Sequence, residues 1–279
     1  MATQEKPSWY EKEVKSIKPD AQRLLESYSG LEPDQVLPHV LTLRDKAFAI
    51  FPYPCIGQMR FLNLNLSRNP AYERVIARLR GDPDAKFLDA GCCVGQEIRF
   101  LADQGIRDTQ LFGLDLERSF IDLGYELFKD RGRLNATFVT GDLTSSQGVY
   151  GSSEVQRLGE TIDVVFASSL LHLWEYETQL KVSARLVRLC RDTPGVMVMG
   201  RQMGSTLAGS YDLKEYSQAA HYRHNVESLK GLWHDIGLET GTQWRVEAGL
   251  YVDEVNQKYV NVSWNDDNGR MIWWCATRV

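Results

Sequence analysis

The chain has 279 residues, 43% hydrophobic and 25% charged, a composition that excludes disordered, collagen-like and disulfide-knotted proteins. A net charge of −5, from 37 acidic and 32 basic side chains, argues against a nucleic-acid partner, because gripping a phosphate backbone needs clustered Lys and Arg. The five Cys lack metal-ligand spacing and read as reduced thiols. Residues 1–20 carry no apolar secretory core, and no apolar run spans a bilayer. The expectation is a cytoplasmic protein without a membrane or metal partner.

Residues 1–84 read as a helical cap or lid. Trp9, Val14, Ile17, Leu24 and Leu25 approximate a helical stripe that stops at Ser29-Gly30, a helix-ending signal. A second helix covers 34–49. The segment Phe51–Leu62 holds two prolines and a glycine and predicts a shaped loop. Asn69-Pro70 predicts the cap and first turn of a helix ending at Gly81.

From residue 85 strands alternate with helices. Strands are expected at 86–89, 110–115, 136–140, 162–167 and 195–200, with helices up to 104 and over 119–130 and 174–190. A further helix at 227–236 and strands at 242–251 and 271–277 follow. The pattern predicts an α/β fold: a doubly wound seven-stranded sheet with an antiparallel terminal hairpin. That domain covers 85–279, with an insertion near 202–225, and the turn Asn265–Gly269 closes the last connection.

Ligands of such sheets sit at the carboxyl ends of the strands. The strand-turn-helix Phe87-Leu-Asp-Ala-Gly-Cys-Cys-Val-Gly95 is the first candidate. Gly91 lets the backbone pass close to a ligand and Gly95 lets the helix approach the sheet; Asp89 and Cys92 belong to the same turn. Asp115 ends the next strand and can accept from both ribose hydroxyls; Asp142 ends the third and can meet an adenine amine. Leu116 and Leu143 follow these two acids and complete the cofactor set on that side. The layout suits NAD or S-adenosylmethionine. A dinucleotide fingerprint wants Gly-x-Gly-x-x-Gly, which Gly91-Cys-Cys-Val-Gly95 fails, so S-adenosylmethionine is favoured. Each acid has a plainer role as a helix cap or turn residue, and Cys92-Cys93 as loop packing.

On these residues the chain resembles the class I S-adenosylmethionine-dependent methyltransferases over roughly 85–279. Cys93 departs from that family's usual central glycine. The stretch Phe51-Pro-Tyr-Pro-Cys-Ile-Gly-Gln-Met-Arg-Phe-Leu62 resembles the fungal meroterpenoid-pathway methyltransferases. That resemblance implies methylation of the carboxyl group of a farnesylated aryl acid. Tyr53 and Arg60 either hold the methionine end of the cofactor or merely close the cap onto the sheet.

The acceptor side starts at the end of the fourth strand, Ala167-Ser-Ser-Leu-Leu-His-Leu-Trp174. It lacks the Asn/Asp-Pro-Pro-Tyr of nucleobase N-methyltransferases. Ser168 falls near the cofactor. His172 and Arg201 are the candidate catalytic pair; His172 is otherwise a hydrogen-bonded strand-end histidine. Trp174, His221 and His224 are candidate substrate contacts. Their plainer readings are core packing for Trp174 and a solvated loop for the two histidines. A carboxylate acceptor needs no general base, whereas a phenol of pKa about 10 does. The expected partner is a small hydrophobic acid, and the apolar N-terminal layer points to a homodimer. The rival readings are a phenol O-methyltransferase, a cyclase or isomerase on the same fold, and a non-catalytic partner protein.

Overall fold

The computed structural model describes residues 6–146, 152–212, 220–254, 257 and 266–279. The strands in chain order are β1 (Phe87–Ala90), β2 (Leu111–Asp115), β3 (Thr137–Thr140), β4 (Val164–Ser168), β5 (Met197–Ser205), β6 (Gly209–Tyr211), β7 (His221–Arg223), β8 (Trp244–Tyr251) and β9 (Gly269–Arg278). Seven of them form one sheet in the order β3-β2-β1-β4-β5-β9-β8. The first five are parallel, and β9 runs antiparallel to both β5 and β8. The order reverses between β1 and β4, which places a ligand crevice at their carboxyl ends.

The helices are α1 (Pro19–Ser27), α2 (Pro33–Ile50), α3 (Pro54–Gly57), α4 (Tyr72–Gly81), α5 (Gln96–Asp103), α6 (Arg118–Phe128), α7 (Ser153–Gln156), α8 (Tyr176–Leu189) and α9 (Val226–Thr240). The central strands are buried on both faces, as a parallel sheet covered by crossover helices must be. Leu88, Val165 and Val198 turn toward α8 and α9, and Phe87, Phe166 and Met199 toward α4 and α5. A third core joins α1, α2 and α3 to α6 and to Val94 of the turn after β1. None of the described helices is long and apolar enough to cross a membrane.

Four expectations need correction. The N-terminal stripe is helical only from Pro19, because a residue preceding proline is held out of the α region and Lys18 is extended at ψ 143°. Trp9 and Tyr10 are nevertheless buried, edge-on against Phe48. Phe51–Leu62 is not all loop, since it contains α3 and a 3₁₀ turn at Arg60–Leu62. Asn69 does not cap α4, which starts at Tyr72. Its Oδ1 accepts from Ala71 N at 3.0 Å, while its Nδ2 donates to Gly200 O and Trp274 O at 3.2 and 3.4 Å.

The fourth correction concerns β5, which runs five residues beyond Gly200 because β9 pairs with it from Met197↔Thr277 to Ser205↔Gly269. Arg201 therefore lies inside the strand. The expected insertion holds the extra two-stranded ribbon β6–β7. Its residues 213–219, and Asn265 of the expected turn, lie outside the described residues.

Candidate active site

The turn after β1 is built from backbone geometry. Gly91, Cys93 and Gly95 have φ of +77°, +50° and +67°. Cys93 thus keeps a left-handed conformation that glycine adopts freely and other residues only at a cost. Gly91 N and Cys92 N both donate to Leu114 O, at 2.8 and 3.0 Å, which ties the turn to β2. Asp115 completes the tie: its Oδ2 accepts from Cys93 N at 2.7 Å and its Oδ1 from Glu117 N at 2.9 Å. A Cβ on Gly91 would stand 3.1 Å from Leu170, so the turn abuts the loop that follows β4.

Three carboxylates crowd this corner. Asp89 is buried and its Oδ2 has no hydrogen-bond partner among the described residues. Burial first, then the charges of Glu97 and Asp115, raise its pKa well above the carboxylate range. Glu97, also buried, is pushed up to about 7 by burial, against the pull of the Asn65 and Leu66 backbone N–H groups that donate to its Oε1 at 2.6 and 3.2 Å. Burial raises Asp115 as well. An orphaned carboxylate oxygen among like charges calls for a cation. The ammonium and sulfonium of S-adenosylmethionine fit that demand, and a pyrophosphate does not.

The remaining cofactor candidates spread around this corner. Tyr53 packs between Phe51 and Phe120, with ring centroids at 4.1 and 6.2 Å. Its hydroxyl is pushed up to about 12 by burial and then by the charge of Asp115. Leu116 is 65% exposed at the mouth, whereas Cys92 and Leu143 are buried. Asp142 is half-buried; its Oδ1 accepts from the Thr144 hydroxyl and N–H at 2.7 and 2.8 Å, and the hydroxyl bond leads in lowering its pKa. Ser168 Oγ accepts from Asn65 Nδ2 at 3.4 Å. Burial raises both Cys92 and Cys93 well above the thiol range, in keeping with their reading as loop packing.

The residues expected on the acceptor side include His172, in a 3₁₀ turn at Leu171–Leu173 beyond β4. Its Nδ1 is buried without a hydrogen-bond partner among the described residues. Burial, then the charges of His221, Arg60, Arg201 and Arg223, drive its pKa well below the usual range. Arg60 donates Nη1 to Gln58 Oε1 at 3.2 Å, and its charge acts on both His172 and Cys55. Arg201 donates Nε to Tyr251 Oη at 3.0 Å, Nη1 to Ser169 Oγ at 3.3 Å and Nη2 to Asp253 Oδ2 at 2.8 Å. Its charge is largely matched by Asp253.

His221 and His224 are fully buried, which overturns the solvated-loop reading. The ribbon β6–β7 carries His221 inward, and Gly204 bridges to His224. His221 Nε2 accepts from Arg223 Nε at 3.0 Å, and its Nδ1 has no hydrogen-bond partner among the described residues. His224 Nδ1 meets Ser228 Oγ at 3.0 Å, and its ring lies 4.8 Å from that of Tyr222. Trp174 is half-buried against the α8–α9 core, and its carbonyl accepts from Tyr222 N at 2.9 Å. Sequence reasoning missed Glu97 and Arg223, since neither carries a motif; only the folded chain brings them beside the other groups.

A seven-stranded sheet with this strand order, a glycine turn after β1 and an acid ending β2 define a class I S-adenosylmethionine-dependent methyltransferase. Comparison with known proteins agrees. Residues 87–193 match the methyltransferase domain and residues 9–62 the meroterpenoid methyltransferase N-terminal domain. An O-methyltransferase of Stereocaulon alpinum is 39% identical over 87% of this chain and 68% of its own length. One from Fungal sp. (strain ATCC 74256) is 40% identical over 86% and 79%, and the asnovolin E/chermesin D methyltransferase of Aspergillus novofumigatus 32% over 81% and 79%.

Among solved structures, phosphoethanolamine N-methyltransferase 2 of Haemonchus contortus shares the fold with a TM-score of 0.50 at 18% identity, over 75% of this chain and 53% of its own. The [4+2]-cyclase SpnF does so at 0.51 and 12%, over 74% and 79%. The chain belongs to the meroterpenoid methyltransferase family. It is an S-adenosylmethionine-dependent O-methyltransferase of secondary metabolism.

Proposed function

We propose that the chain methyl-esterifies the carboxyl group of a hydrophobic aryl acid, a farnesylated aryl polyketide of meroterpenoid biosynthesis. The observation that carries this reading is the state of His172: half-buried, with an enclosed Nδ1 that has no hydrogen-bond partner among the described residues, and disfavoured as a cation by burial and by the charges of His221, Arg60, Arg201 and Arg223. A histidine whose protonated form is so disfavoured is a weak base, poorly suited to taking the proton of a phenol. A carboxylate arrives already ionised and needs no base. The same positive surroundings attract it, and the pairing of Arg201 with Asp253 limits how strongly they hold it.

S-adenosylmethionine supplies an electrophilic methyl group. Around it, Asp89 and Glu97 would face the ammonium, Asp115 the ribose hydroxyls, Asp142 the adenine amine, and Tyr53 would cover the cofactor with Leu116. On the other side His172 and His221 would orient the acceptor oxygen, while Trp174 forms part of an apolar wall. Positioning the two reactants in line is the main contribution such a site makes.

The test is incubation with methyl-labelled cofactor and a panel of prenylated aryl acids, followed by mild alkali. Label released by saponification, with one S-adenosylhomocysteine per product, supports the ester. Label that survives alkali is an ether and overturns it. Product formed without S-adenosylhomocysteine would mark a cyclase or isomerase.

A further inference from the structure

The N-terminal helices reach the cofactor turn through a chain of hydrogen bonds that starts at half-buried Tyr28 and continues through buried groups. Tyr28, just past α1, donates its hydroxyl to Asp130 Oδ2 at 2.9 Å. Asp130 pairs in two places with Arg99, Oδ2 to Nε at 2.9 Å and Oδ1 to Nη2 at 3.1 Å. The remaining guanidinium nitrogen, Nη1, donates to Val94 O at 2.9 Å and Gly95 O at 3.4 Å. Arg99 and Asp130 are both 0% exposed. A buried ion pair is tolerated only where its geometry and remaining hydrogen bonds are satisfied. Here the rings of Tyr125, Phe128 and Phe138 also surround the guanidinium, each about 5.1 Å away.

The turn has little room to adjust. A Cβ on Gly95 would stand 2.5 Å from Arg99 Nη1, and one on Gly124 of α6 would stand 2.3 Å from Val94 O. The Val94 side chain belongs to the same core as Leu24, Leu25 and Leu31 of the N-terminal layer.

We infer that Tyr28 is a positioning residue for the cofactor turn, acting through Asp130 and Arg99 on the carbonyls of Val94 and Gly95. The N-terminal layer therefore sets cofactor affinity, apart from any role it has toward the acceptor. The inference needs only the established cofactor and is independent of which oxygen is methylated.

Calorimetric titration of the full chain with S-adenosylmethionine tests it. Tyr28→Phe keeps the ring and removes the bond; the expected result is a Kd raised about five-fold, corresponding to about 1 kcal/mol, with kcat at saturating cofactor unchanged. His39→Ala is the control. It removes a different tie between the layer and α6, the His39 Nε2 contact with Leu127 O at 2.9 Å, and should lower the melting temperature without altering Kd. In an Arg99→Lys background the Tyr28→Phe effect should vanish, because the relay is already cut. An unchanged Kd for Tyr28→Phe, an equal Kd change for His39→Ala, or full additivity with Arg99→Lys would each overturn the inference.

Discussion

Arg223 donates its Nε–H to His221 Nε2 across 3.0 Å, with both side chains buried. A guanidinium has no lone pair to offer, so His221 Nε2 must be the unprotonated nitrogen and Nδ1 must carry the hydrogen. The ring is thereby fixed as a neutral donor. Burial, and then the charge of Arg223, lower its pKa to about 4.

That shift has a signed consequence for stability. Between about pH 6.5 and 4 the unfolded chain binds a proton at this residue and the folded chain does not, so stability falls as pH is lowered through that window. His224, brought to about 4 by burial, acts in the same direction. Each accounts for on the order of 3 kcal/mol across the window. Glutamine at 221 can still accept from Arg223. His221→Gln should therefore flatten the dependence of melting temperature on pH between 4 and 6.5, and an unchanged slope would contradict the assignment.

Glu97 works in the opposite sense. Its pKa of about 7 exceeds the ordinary carboxyl value, so its folded-state advantage is complete below about pH 4.5 and is lost as pH rises through 7. Glu97→Gln retains an Oε1 acceptor for Asn65 and Leu66. The cofactor-free variant should match the native chain near pH 4 and exceed it at pH 8 by on the order of 3 kcal/mol. Chemical denaturation at the two pH values measures the difference.

Asp115 holds the turn and is the proposed partner of the ribose hydroxyls. Asp115→Asn keeps an acceptor oxygen but loses the charge that strengthens both roles; hydrogen bonds to charged groups contribute about 1.5–3 kcal/mol. Calorimetry should show cofactor affinity reduced by at least about ten-fold, with a smaller fall in melting temperature. Unchanged affinity would dismiss the ribose assignment.

The two close approaches around the turn differ in what they permit. Gly124→Ala pushes a methyl to within 2.3 Å of Val94 O, a backbone atom that cannot swing aside, and should cost about 3 kcal/mol. Cys93→Gly removes strain at φ +50° worth about 1 kcal/mol, offset by the greater freedom glycine has when unfolded. Its melting temperature should stay within about 2 °C of the native value. Thermal denaturation distinguishes the two variants directly.

The start of the sheet was legible because strands such as β1 and β4 are short apolar runs followed by a Gly or polar turn, a signal that local sequence carries. The glycine turn, Asp89, Asp115 and His172 could be located for the same reason: they sit at strand ends. Burial of His221 and His224 was not legible, because a three-residue ribbon paired across a long connection leaves no periodic trace. Asn69 read as a helix cap because its local chemistry fits one; its actual partners, Gly200 and Trp274, are 131 and 205 residues away. Glu97 and Arg99 lie on α5 with no motif to mark them, and only tertiary packing buries them.

The core shared by α1, α2, α3, α6 and Val94 governs how new enzymes can be assembled from relatives. A chimera that exchanges only the first 60 or so residues would seat foreign side chains on a native α6, mismatching Phe120, Leu123, Leu127 and Phe128. Recombination breakpoints that transplant α6 together with the leading helices preserve this packing, so specificity swaps in this lineage should succeed with the discontinuous graft and fail with the simple one.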